Sequence, residues 1–332
     1  MDWFERITGF REGPYAETQR RLSVVAGNLH ADGKDSGYAI GRLEILSLAD
    51  LRARATKLMS AGQPLQADVI QGDVRKLHAA SESGGAVFQV ASQFNLLEMV
   101  GPDVTPEDGV TRYAYDRTQG PACAIAGGAG TIYRNYLLPV AGGAGQTRQR
   151  QVDCLLELGK ALGNADSSLW KMRNGYALAT EESLERLNQL LRSRNADQLD
   201  ELRALVRVGV QWNVQVTDPG AHQMVTQVYC SALPVAYCRA PAHLWAAFAK
   251  LVLEAAYEAT LLAAVLNRAQ TGNRTVFLTR LGGGAFGNEV SWIHLAISRA
   301  MELAAHSGLL VRLNTYAPAT QDMLDLVQPY RV

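Results

Sequence analysis

The apolar positions change their period along the chain, and each change marks an element. Two short runs, Ala67-Asp68-Val69-Ile70 and Ala86-Val87-Phe88-Gln89-Val90, are β-branched and bordered by turn residues, so both predict strands. Between about 155 and 208 apolar residues recur at helical spacing: Leu184, Leu187 and Leu191, then Leu199, Leu202 and Val206, with Arg, Glu and Asn between them. That pattern predicts charged amphipathic helices inserted on the surface of the fold. From Val210 strand and helix alternate. Trp212 to Thr217 and Val225 to Leu233 predict strands, Ala242 to Arg268 a long helix ended by Gly272, Thr275 to Leu281 a strand, Glu289 to Ala305 a helix, and Leu309 to Leu313 a last strand. The long helix carries apolar residues at 245, 248, 252, 255, 259, 262 and 266, with Lys250, Glu254 and Glu258 on another face. Strands alternating with helices of that length imply an α/β fold, a three-layer α/β/α sandwich. Residues 1–65 mix polar loops with one helix, Leu48 to Met59, punctuated by Gly33, Gly37 and Gly62. They predict an N-terminal extension, leaving 66–332 as one domain with a helical insertion at about 155–208.

Composition narrows the class. The 332 residues are 48% hydrophobic and 19% charged, which describes a globular chain rather than a disordered one. Thirty-two basic and 32 acidic residues cancel, so no global field draws the chain to nucleic acid or to anionic lipid. No apolar run approaches the roughly 18 residues that span a bilayer. The start, Met1-Asp2-Trp3-Phe4-Glu5-Arg6, has neither the basic nor the apolar region of a signal peptide, and the expectation is a cytoplasmic protein with neither membrane nor nucleic acid as partner. Cys123, Cys154, Cys230 and Cys238 are widely spaced and the six histidines are scattered, so neither a metal site nor a cofactor is expected.

One segment carries chemistry. Leu278-Thr279-Arg280-Leu281-Gly282-Gly283-Gly284-Ala285-Phe286-Gly287-Asn288-Glu289 runs from a strand into a helix. Such turns bind phosphate: glycines let the backbone approach, bare N–H groups point inward, and the helix presents its positive end. Asn288 reads as the helix N-cap, with Glu289 in the first turn. Gly282, Gly284 and Gly287 satisfy G-x-G-x-x-G, yet the fingerprint normally opens the first βαβ unit and is followed by an acid at the end of the next strand. Here the next strand ends at Asn314 with no acid, and no G-x-x-x-x-G-K-[ST] occurs, so neither a dinucleotide site nor a P-loop fits.

A second segment is polar. Gln89 to Glu98 leaves a strand at the edge where open α/β sheets bind ligands. It continues through Asp103, Glu107, Asp108, Tyr113, Tyr115, Asp116, Thr118 and Gln119 to a small-residue turn at Gly127-Gly128-Ala129-Gly130. Roughly 45 residues with acids, amides and little periodicity predict a functional loop. Asp103 and Glu107 read best as solvated surface, whereas Asn95, Asp116 and Gln119 sit among aromatics and tight turns. Cys123 reads as a buried apolar residue with no histidine partner, and Tyr229, Cys230 and Tyr237 read as core.

With these residues in view, the chain resembles the macrodomain superfamily. The resemblance rests on Gly72-Asp73-Val74 after the first strand, the second strand leading to an Asn-bearing loop, and the glycine turn Gly282 to Asn288. The strings Gln93-Phe94-Asn95-Leu96-Leu97-Glu98, Asp116-Arg117-Thr118-Gln119-Gly120-Pro121-Ala122-Cys123 and Tyr133-Arg134-Asn135-Tyr136 are similar to a divergent branch represented by the bacterial effector MavL. The resemblance implies an arginine-specific mono-ADP-ribosylhydrolase acting on ADP-ribosylated protein, ubiquitin among the substrates. It implies that Asp73 contacts adenine, that Asn95 and Gln119 hold ribose hydroxyls, that Phe286 packs beside the distal ribose, and that Gly282, Gly283, Gly284, Ala285, Phe286, Gly287 and Asn288 cradle the diphosphate. Asp73 is equally the residue of an Asx turn after a strand. Cleaving an ADP-ribosyl–arginine bond calls for carboxylates that stabilise a cationic ribose, activate water and match a guanidinium. Asp116, Asp108 and Glu98 are the candidates, with Asp116 first. A reader that binds ADP-ribose without cleaving it, and a hydrolase of a free ADP-ribose derivative, are the alternatives.

Overall fold

The run from Val87 to Ala91 is the middle strand of a seven-stranded sheet, and its burial on both faces explains why it lacks a polar side. In chain order the strands are β1 (Arg42–Ser47), β2 (Gln66–Gln71), β3 (Val87–Ala91), β4 (Arg207–Gln215), β5 (Met224–Cys230), β6 (Thr275–Leu278) and β7 (Leu310–Thr315). They lie in the order β1-β4-β5-β3-β6-β7-β2. β5, β3, β6, β7 and β2 run parallel, while β4 is antiparallel to both β5 and β1. The computed structural model describes residues 1–34, 36–59 and 63–331, so Gly62 lies outside the described residues.

Helices cover both faces, giving the three-layer α/β/α sandwich. On one face the helix Ala242–Thr271 crosses the sheet and is apolar almost all round, as a helix packed on several sides must be. Its polar side chains bond the strands beneath: Gln89 donates to Thr260 Oγ1 at 3.2 Å and Thr226 donates to Asn267 Oδ1 at 2.8 Å. On the other face lie Val74–Ala79, Gln119–Ala126 and Gly128–Tyr136. There Phe88 stacks between His78 and Phe277, and Gln227 donates to Cys123 O at 2.7 Å. Burial pushes the His78 pKa down to about 4, so this histidine is a neutral core residue. Among the described residues no helix is long and apolar enough to cross a membrane.

Three regions differ from the sequence expectation. Residues 1–65 are more than an extension, because Arg42–Ser47 supplies the edge strand β1 and Leu48–Ala55 packs against the long helix. The helices Glu181–Arg192 and Ala196–Ala204 also pack on the long helix, burying Leu184, Leu187, Leu191 and Leu202. An ion cluster fixes them there: Arg203 meets Glu254 at 2.5 Å, and Asp200 meets Arg52 at 2.6 Å and Arg299 at 3.2 Å. Lastly, the stretch expected as aperiodic loop contains the helices Gln119–Ala126 and Gly128–Tyr136, and Gly127 is the joint between them rather than part of an open turn. A Cβ at Gly130 would crowd Val214 and the Ile40 carbonyl, so the small residues there permit helix-to-sheet contact.

Candidate functional site

The site forms where β3 and β6 part. Their ladder ends at Phe88 and Phe277, and β3 leads toward Gln119–Ala126 on one face while β6 leads to the helix Val290–Leu303 on the other. This divergence is the switch point at which open α/β sheets take ligands. Beyond the last rung the side-chain amide of Gln119 replaces the missing strand: it donates to Gln89 O at 2.7 Å and accepts from Ala91 N–H at 3.0 Å. The backbone is thereby satisfied and the strands stay open. A cleft of about 420 Å³ opens there, lined by the segments that follow β3, β5, β6 and β7. That volume suits a small organic ligand.

The glycine turn forms one side of this cleft. Gly282 has φ +75°, and a Cβ there would overlap Ala232 Cβ, so only glycine fits. Gly283 N–H donates to Arg280 O and Gly287 N–H to Gly284 O, closing the turn on itself. The N–H groups of Gly284, Ala285 and Phe286 have no acceptor among the described residues. Gly284 and Ala285 are exposed, and Arg280 lines the cleft with no ion-pair partner among the described residues. Bare N–H groups beside an unpaired guanidinium have the chemistry to accept an anion. Asn288 is not the helix N-cap; Glu289 occupies that place without a side-chain cap bond. Asn288 is buried and donates to Leu233 O at 2.7 Å, tying the turn to the segment after β5. Gly287 and Asn288 thus stand behind the cleft lining and support it.

Glu98 lies at the bottom of the cleft, 2% exposed. Its Oε1 has no hydrogen-bond partner among the described residues, and its backbone N–H donates to Tyr113 Oη at 3.0 Å. Burial raises its pKa well above the carboxylate range, nearby Arg134 opposes that shift, and Asp116 adds to it. A buried carboxyl with an unpartnered oxygen in a ligand cleft has the marks of a group kept for chemistry. Asp116 is half-buried on the same cleft, with Oδ1 accepting from Thr118 N–H at 2.8 Å. Tyr176, Tyr237 and Phe286 form an aromatic wall with ring centroids 5.0–5.5 Å apart, and Tyr176 donates to Met99 O at 2.6 Å. Tyr316, 81% exposed, stands at the mouth.

The cleft therefore gathers Glu98, Asp116, Gln119 and residues 282–286, and leaves out the others. Asp108 is exposed and spends its carboxylate on the Thr105 N–H (2.8 Å) and hydroxyl (3.0 Å), as the far end of a capping box. Asp73 does not line the cleft; its Oδ1 accepts from Arg75 N–H at 2.8 Å as the cap of Val74–Ala79, the Asx geometry that was the alternative. Asn95 is fully buried behind the cleft: Oδ1 accepts from Leu97 N–H at 3.1 Å and Nδ2 donates to Gln151 at 2.9 Å. Gln119 reaches the cleft but its amide is committed to β3. Burial raises the Cys123 thiol well above its usual range, which removes it as a nucleophile. Tyr229 and Cys230 are core as expected, whereas Tyr237 belongs to the wall. The sequence reading missed Arg280, Tyr176 and Tyr316. Only Arg280, two residues before the glycine run, carried a local signal.

No family model matches the chain, and no curated protein matches it. Among solved structures, a mutant poly(ADP-ribose) glycohydrolase from Deinococcus radiodurans in complex with ADP-ribose is 10% identical over 97% of this chain and 98% of that one, with a TM-score of 0.46. The D. radiodurans enzyme, also in complex with ADP-ribose, is 12% identical over 87% of this chain and 93% of that one, TM-score 0.46. The glycohydrolase from Thermomonospora curvata is 12% identical over 95% of each chain, TM-score 0.43.

Proposed function

We propose that the cleft binds ADP-ribose and that the protein is a macrodomain-like mono-ADP-ribosylhydrolase, cleaving the C1″–N bond to a modified arginine of a protein such as ubiquitin. The observation that carries the reading is Glu98: a buried carboxyl with an unpartnered oxygen, lining the same cleft as a glycine turn with free N–H groups. The turn and Arg280 suit a diphosphate, and the aromatic wall suits a ribose or base. In the ionised state Glu98 takes a proton from water as the water oxygen bonds to C1″. The C1″–N bond breaks through a cationic ribose, and the proton passes to the departing guanidine, which leaves as guanidinium. Asp116, nearer solvent, meets that guanidinium on its arginine side.

The test pairs binding with turnover. Calorimetry on wild type and Glu98→Gln measures ADP-ribose affinity, while release of ADP-ribose from arginine-modified ubiquitin measures catalysis. The expected result is retained affinity in the variant and a rate lower by about 10²–10⁴-fold. Equal rates remove Glu98 from the chemistry. Tight binding by wild type without turnover on Arg-, Glu- or Ser-linked substrates makes the protein a reader.

A further inference from the structure

Arg134 is 0% exposed, yet no carboxylate pairs with it among the described residues. A guanidinium stays charged wherever it is placed, and burying it costs several kcal/mol unless its donors are filled. Here the acceptors are neutral. Nε donates to Leu96 O at 3.0 Å, Nη2 to Thr131 Oγ1 at 3.0 Å and Nη1 to Gln211 Oε1 at 3.3 Å, and the group lies 3.6 Å from the centre of the Tyr229 ring. A core that needed only these hydrogen bonds is served at lower cost by a neutral residue, so the charge itself calls for an explanation.

Leu96 supplies it. Its φ is +64°, a conformation that costs a leucine about 1–3 kcal/mol and persists only where its surroundings impose it. The tight turn around it, with Leu96 N–H on Gln93 O and Gln93 N–H on Leu97 O, ends one residue before Glu98. The Leu96 carbonyl accepts from Arg134, and the Leu96 side chain fills the space that a Cβ at Gly209 would need. Arg134 thus grips the turn that presents the carboxyl. We propose that Arg134 is a positioning residue for Glu98, holding the strained Leu96 turn through its Nε bond and setting the charge balance at the cleft floor through its buried cation.

The groups facing Glu98 leave few alternatives for that balance. Tyr113, Tyr176, Tyr229, Cys123 and Cys230 are all pushed up by burial and stay uncharged at neutral pH. Asp116 on the cleft edge holds the proton on Glu98 more tightly, and Arg134 loosens it. Arg280 of the glycine turn lines the same cleft. Arg134 is the buried cation of the set, and it favours the ionised form that takes a proton from water.

The proposal rests on the role of Glu98 given above, and its test separates the two. The carboxyl C=O infrared band that wild type shows and Glu98→Gln lacks is followed against pH, with folding checked by melting; this measurement needs no substrate. In Arg134→Met the band should persist to higher pH than in wild type, and the rising limb of the turnover profile should move up with it. In Arg134→Lys the cation remains but the planar fork is lost. Its band should titrate close to wild type, while kcat falls about tenfold with KM unchanged, as misplacement of a reacting group requires. A folded Met variant whose band titrates with wild type, or a Lys variant with wild-type kcat, overturns the proposal; the Lys variant decides alone if the Met variant does not fold. Failure of wild type to turn over any substrate sinks the hydrolase reading instead, and the infrared titrations then decide the link between Arg134 and Glu98.

Discussion

Replacing Glu98 by Gln should make the protein more stable as the pH rises, and the sign follows from where the proton sits. Burial raises the Glu98 pKa well above its value in an unfolded chain. At a pH below the ordinary glutamic acid range both states hold the proton, and the isosteric amide changes little. As pH rises past about 4.5 the unfolded chain gives up the proton while the folded protein keeps it, so wild-type stability falls by about 1.4 kcal/mol per pH unit from this group alone. The fall stops once the folded carboxyl ionises too. Glutamine does not titrate, so the variant gains that amount per unit relative to wild type. Thermal melts of both proteins between pH 4.5 and 8 read the difference, each kcal/mol appearing as roughly 2 °C in a chain of this size. Other titrating groups cancel between the two proteins. Parallel curves, with a Tm difference that is constant across pH, would refute the claim that Glu98 binds its proton unusually tightly.

Gly120→Ala tests the close approach at the floor: a Cβ would overlap both the Ala91 carbonyl and Glu98 Oε2, so the variant should lose about 1–3 kcal/mol in denaturant unfolding and lose turnover with it. Arg280→Ala removes the unpaired cation of the glycine turn and should weaken ADP-ribose binding by about 10–100-fold in calorimetry, with a shallower salt dependence than wild type. Asp108→Ala should leave turnover at the wild-type level and cost only a local cap, about 0.5–2 kcal/mol in a melt, because its carboxylate serves Thr105.

The sequence disclosed best what is local. The glycine turn announced itself because Gly282 to Gly287 follow a strand directly, and the long helix because its apolar period is unbroken. The misreadings have one physical cause, the dominance of distant contacts over local pattern. Arg42–Ser47 becomes a strand because β4, about 160 residues later, pairs with it from Arg207 to Trp212. The glycines at 127, 128 and 130 lower helix propensity by about 1 kcal/mol each, yet Gly127 and Gly130 face side chains of the sheet closely and Gly128 faces Ile7 and Trp3, so all three lie where only a small residue fits. The three candidate acids, Asp108, Asp116 and Glu98, look alike in sequence for the same reason, and only burial separates them: Glu98 is buried, Asp116 half-buried and Asp108 exposed. Asn95 and Gln119 sit in the expected strings, but backbone groups at the fork of the sheet and in the Leu96 turn had prior use for their amides. Tyr176 and Tyr237 join the cleft from segments 60 residues apart, which no local motif could reveal.

A structure of the protein with ADP-ribose bound would show directly whether Glu98 and the glycine turn serve one ligand. The diphosphate should lie on the N–H groups of Gly284 to Phe286 beside Arg280, and the C1″ carbon should lie within reach of Glu98 with room for one water between them. ADP-ribose bound elsewhere, or bound in this cleft with C1″ turned away from Glu98, would contradict that shared role.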